Sequence, residues 1–147
     1  MMNMFLSYII ACCFLQNPIQ DSTQNIYRSI KYIDIVYLSW ECETFVPINC
    51  DGIDHPSNNS GIGHLIILQD SEYFKRILDE IKNLRITDKY DKPNVRVKVG
   101  IVYFDDKKDV LCIGMNRIIT LNGKNKCYSD SLEKLIRSAI PISYYDN

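Results

Sequence analysis

Between Lys31 and Trp40 the chain is apolar at both parities. Ile33, Ile35 and Tyr37 fall on one side, and Val36, Leu38 and Trp40 on the other. A strand apolar on both sides is an interior strand covered from two directions. Thr44 to Ile48 reads as a continuation of it after a bend, because Pro47 has no N–H to give to a central ladder. The clearest alternation runs from Val95 to Phe104. Val95, Val97, Val99, Ile101 and Tyr103 share one side, and the other begins with Arg96, Lys98 and Gly100 before turning apolar at Val102 and Phe104. Asp105 to Asp109 makes a charged turn, and Val110 to Met115 returns as the partner strand. Arg117 to Leu121 and Lys124 to Tyr128 flank Asn122-Gly123, the pair favoured in a two-residue hairpin turn whose positions both need positive φ.

Two stretches carry a helical period instead. Phe74, Ile77, Leu78, Ile81 and Leu84 recur at three and four residues, behind an N-cap at Asp70 or Ser71, and the helix ends near Arg85. Leu132, Leu135, Ile136, Ala139 and Ile140 form a second stripe. It is capped at Ser129 or Asp130, with Glu133 placed for a capping box, and Pro141 stops it. Leu65 to Leu68 reads as a short apolar lead into the first helix. Asn49 to Gly63, rich in Asn, Asp, Ser, Pro and Gly, reads as a loop, long for a connection inside a compact domain. The order implies an α+β fold: an antiparallel sheet of four to five strands with two helices packed on one face, in a single domain over residues 26–142. The length of 147 residues, with 46% hydrophobic and 24% charged residues, suits one soluble domain and gives no reason to divide it.

Residues 1–20 break from this pattern. No charged side chain occurs before Asp21, and Met1 to Leu15 is a short greasy run. It is too short to span a bilayer and of the right size for the apolar part of a secretory signal, although the usual Lys or Arg at its start is missing. Ile9-Ile10-Ala11-Cys12 resembles a bacterial lipobox, which makes Cys12 the candidate for lipidation and membrane attachment. The segment therefore reads as a signal peptide or lipoprotein leader, and the protein as exported to the periplasm or held at the envelope. The alternative is a cytoplasmic protein whose first residues are buried in the fold.

Charge narrows the partners. Seventeen basic and 18 acidic residues give a net charge of −1, and the basic residues are scattered, so a nucleic-acid partner is not expected. Outside the leader four cysteines remain, Cys42, Cys50, Cys112 and Cys127, an even number that suits disulfide pairing in an oxidising compartment. Three pairings of the four exist, and spacing alone selects none. Cys42, Cys50, His55 and His64 include ligand types for zinc, but their spacing fits no usual zinc module, so no metal or other cofactor is assigned. Cys50 with His55 or His64 is the one arrangement for nucleophilic catalysis. Glu41 and Glu43 would share a face if the strand continued through them, and Asn58-Asn59-Ser60 fits the glycosylation acceptor pattern. No catalytic residue is assigned.

The strand pair Val95–Phe104 and Val110–Met115, the Leu121-Asn122-Gly123-Lys124 hairpin and a closing helix together resemble the small exported α+β proteins of unknown function found in Gram-negative gut-type bacteria. Some proteins of that appearance are immunity proteins. The resemblance implies an exported binding protein that acts through protein–protein contact, as an immunity or envelope accessory protein. The alternative is a small hydrolase or thiol enzyme using a Cys/His pair in the 42–64 region. With no motif for chemistry in the chain, the balance falls against an enzyme.

Overall fold

The computed structural model describes residues 30–54, 61–88 and 91–141. The expected leader, residues 1–20 with Cys12, lies outside them, as do His55 and the Asn58-Asn59-Ser60 acceptor. The fold is α+β. Its strands are β1 (Ile30–Leu38), β2 (Ile62–Ile67), β3 (Val95–Tyr103), β4 (Lys108–Gly114), β5 (Ile119–Leu121) and β6 (Lys124–Lys126). Helix α1 (Ser71–Lys82) lies between β2 and β3, and α2 (Asp130–Arg137) follows β6. The strands form one six-stranded sheet in the order β2-β1-β3-β4-β5-β6, antiparallel at every pairing.

The sheet is wider than the four to five strands expected. The additional strand is β2, which takes the end of the expected loop and most of the expected lead into α1. Its pattern is interrupted by Gly63 and His64, so nothing local marks it as a strand. Pairing with β1, from Ile33↔Ile67 to Leu38↔Ile62, is what fixes it. Thr44 to Ile48 is not a strand. It crosses the sheet instead, consistent with Pro47 having no N–H for a ladder.

Both helices pack on one face. Ile33, Ile35, Val97, Val99, Ile101, Leu111, Ile113 and Ile119 meet Phe74 and Ile77 of α1 and Leu132, Leu135 and Ile136 of α2 in one buried cluster. Each helix starts where a side chain satisfies an otherwise unpaired N–H. The Asp70 carboxylate accepts from the Tyr73 N–H at 2.8 Å, and the Ser129 hydroxyl accepts from the Leu132 N–H at 3.2 Å. Ser129 rather than Asp130 is thus the cap of α2. Glu133 accepts from the Tyr128 hydroxyl and pairs with Arg137 instead of closing a capping box.

At the β5–β6 turn Asn122 and Gly123 have φ of 49° and 75°, the left-handed values the sequence demanded. The Asn122 side chain also accepts from the Val110 N–H at 2.8 Å, tying the hairpin to β4. The opposite face of the sheet carries a smaller cluster, Leu38, Ile53, Val95 and Cys112, with Val36, Ile48, Ile62 and Val110 at its margin. The doubly apolar pattern of β1 is explained by these two covers, one helical and one irregular.

Candidate functional site

The irregular cover is the segment from Ser39 to Asp54, and it is fastened at several points. Its first turn closes through Cys42 N–H to Ser39 O at 3.1 Å. Arg96, fully buried, reaches it from β3 and donates to Cys42 O at 2.8 Å. The same guanidinium donates to Asn94 Oδ1 at 2.8 Å and Val95 O at 3.1 Å, and lies 3.0 Å from Met115 Sδ. Asn94 Oδ1 also accepts from the Ile48 N–H at 3.1 Å, while Ile48 O accepts from the Val95 N–H at 2.8 Å. Cys50 is joined to Cys112 of β4 by a disulfide, with Cα atoms 5.9 Å apart. A turn at Asn49–Gly52 then drops Ile53, at 0% exposure, into the second cluster.

Among the described residues no carboxylate pairs with Arg96. Its charge is met by carbonyl and amide oxygens, and burial holds its pKa below the usual arginine range despite the Cys42 thiol nearby. Its Nε meets no hydrogen-bond partner among the described residues. A buried guanidinium that spends its donors on a neighbouring stretch of chain acts as a clamp, because removing it would take from Cys42 O the donor that Arg96 supplies.

Between the fastenings at Cys42 and Ile48 the chain turns its apolar side chains outward. Phe45 is 110% exposed and Val46 is 71% exposed. Beside the covered region lies a polar strip. His64 Nε2 is 2.5 Å from Asp34 Oδ1, and Lys98 Nζ is 2.8 Å from Asp54 Oδ2. Burial pushes the Asp54 pKa up, but the hydrogen bond from Lys98 and the nearby ammonium charges outweigh it and bring the carboxyl below the ordinary value. The stem of Lys108 lies across Gly100, where any β-carbon would collide with it. An open cleft of about 620 Å³ borders the disulfide on its other side, lined by Cys50, Asp51, Thr87, Pro93, Thr120 and Asn125 among others.

The residues singled out from sequence are scattered by this arrangement. Cys50 and Cys112 come together, a pairing between a loop and a strand that spacing could not select. Cys42 is a half-buried free thiol, and Cys127 an exposed one, 3.8 Å from Ile86 O. Cys50 carries no thiol while it is bonded to Cys112, so the Cys50–His arrangement has no nucleophile in this state. His64 faces Asp34 rather than a cysteine, and among the described residues no hydroxyl or thiol bonds to it. Glu41 and Glu43 are exposed on the crossing segment, outside any strand. Among the described residues no three His, Cys, Asp or Glu converge as a metal site, and no helix is long and apolar enough to cross a membrane.

Asn94 and Arg96 were not singled out from sequence. The available signal was an arginine at the start of a strand with apolar neighbours on both sides, a position that demands hydrogen-bond partners. No family model matches the chain, and neither a curated protein nor a solved structure matches it.

Proposed function

We propose that this is an exported binding protein with no chemistry of its own, of the immunity or envelope accessory kind, and that Phe45 and Val46 are the centre of its protein contact. The observation that carries the reading is the pair of large apolar side chains held in water on a segment fastened at both ends. A mobile loop loses conformational freedom when it binds. Here folding has already fixed the flanks, so less of the binding free energy is lost to ordering. Burying an exposed phenylalanine yields about 1.5–3 kcal/mol, the size expected of an interface hot spot. The Cys50–Cys112 disulfide supports an oxidising compartment and with it the export reading. The thiol-enzyme alternative has less support, since its best nucleophile, Cys50, is engaged in that bond.

The test uses the double variant Phe45→Ala/Val46→Ser. Both positions are solvent-exposed, so its unfolding midpoint should match the wild type. The wild-type chain, recovered from envelope extracts of its host, should carry one stoichiometric protein partner. The variant should bind that purified partner at least about 30-fold more weakly, the equivalent of about 2 kcal/mol. Equal affinity of the two proteins for that partner would remove Phe45 and Val46 from the interface, and recovery of the chain with no partner would remove the binding function.

A further inference from the structure

The two ends of the sheet are built differently. β6 is three residues long, carries Lys124 and Lys126, and is roofed by the segment around Ile86. Ile86 bridges Lys126, the Thr87 N–H donates to Asn125 O at 3.3 Å, and the Cys127 N–H donates to Arg85 O at 2.8 Å. That edge is short, charged and occupied, which is how proteins keep a sheet from growing. Among the described residues β2 has none of these devices. It is six residues long, IGHLII, without Lys, Arg, Asp, Glu or Pro, and its register with β1 runs from Ile62 to Ile67 without a bulge. Among the described residues no strand pairs with its outer side. Ile66, at 49% exposure, and Leu68, at 65%, stand along it in water.

We propose that β2 pairs antiparallel with β2 of a second copy of this chain, about a two-fold axis through Leu65, joining the two sheets into one. The strand is complementary to itself in this register. Ile62 falls opposite Leu68 of the second copy, Gly63 opposite Ile67, and His64 opposite Ile66, each pair on the same face of the joined sheet. No like charges meet, because the strand's one titratable side chain, His64, faces isoleucine and keeps its own partner, Asp34. Gly63 has a use in this arrangement as well. The Tyr37 ring of the same chain already fills the place where a β-carbon of Gly63 would stand, so the position opposite Ile67 of the second copy is not a gap. The exposed Ile66 and Leu68 are both covered by the pairing. An isologous contact of this kind closes on itself after two copies and does not propagate into a fibre.

The experiment is the mass of the purified full chain by light scattering over roughly 1 to 100 µM, with amide hydrogen exchange measured across the same dilution series. The expected result is a dimer at the upper end, with the β2 amides losing protection on dilution in step with the fall in mass. Ile66→Lys, at a half-exposed position, should fold, give a wild-type circular dichroism spectrum and remain a monomer. Phe45→Ala/Val46→Ser should still dimerise, so failure here and failure of the partner-contact reading are separate results. A single-chain mass throughout overturns the proposal, whether the β2 amides are open or are protected by another part of the same chain. A dimer whose β2 protection ignores dilution, or that persists in the folded Ile66→Lys variant, also overturns it.

Discussion

Removing the Cys50–Cys112 bond isolates the part of the fold that has no regular secondary structure to support it. The bond closes a loop with a sequence separation of 62 residues. Loop-closure entropy for that length is about 14 cal/mol/K, or about 4 kcal/mol at 25 °C, contributed by restricting the unfolded chain. The clean perturbation is Cys50→Ala/Cys112→Ala, which leaves the free thiols of Cys42 and Cys127 in place. The assay is urea unfolding followed by circular dichroism. With a slope of about 2 kcal/mol/M, the midpoint should fall by about 2 M. Reduction of the wild type should give the same shift, and Cys42→Ser/Cys127→Ser should give none under reduction beyond that of the wild type. Losing the bond also frees the Ser39–Asp54 cover, so the Val95 amide, bonded to Ile48 O, should exchange faster than amides of β3 nearer its centre such as Val99. A midpoint shift below about 0.5 M would refute the reasoning, because the cover would then be held by Arg96 and packing without need of the cross-link.

Arg96→Lys should destabilise the protein by about 2 kcal/mol in the same urea assay, since one ammonium cannot reach Cys42 O and Asn94 Oδ1 in the planar fork that the guanidinium uses. Gly63→Ala should cost about 1–3 kcal/mol of stability through collision with the buried Tyr37 ring, and a repeat in the Tyr37→Leu background should recover most of it. Burial, then the hydrogen bond to Asp109 and the surrounding carboxylates, pushes the Tyr103 pKa above the ordinary tyrosine range. The unfolded chain then releases this proton first, so stability should be full below about pH 10 and fall as pH rises beyond it. Ultraviolet titration should find one fewer tyrosine whose ionisation waits for unfolding in Tyr103→Phe than in the wild type.

Much of this molecule is local information. The spacing of Phe74, Ile77, Leu78 and Ile81 makes α1 one-sided wherever it lies, and Asn122-Gly123 turns the chain because its backbone prefers positive φ before any partner exists. The alternation in Val95–Tyr103 and the double apolar pattern of Ile30–Leu38 already required a sheet with two covers, and the sequence named the helical one. Three things were not written locally. β2 is a strand because β1 has an edge to offer it, and its own pattern, broken by Gly63, does not say so. Cys50 finds Cys112, and Arg96 finds Cys42 O, only once the Ser39–Asp54 segment has been laid across β3 and β4. The exposure of Phe45 follows from the same crossing, since a phenylalanine in a sequence reads as core until the chain on either side is fixed to something else. Propensity and periodicity act over a few residues, whereas a cover, a cross-link and an open edge are decided by which distant surfaces remain to be buried after the strands have paired.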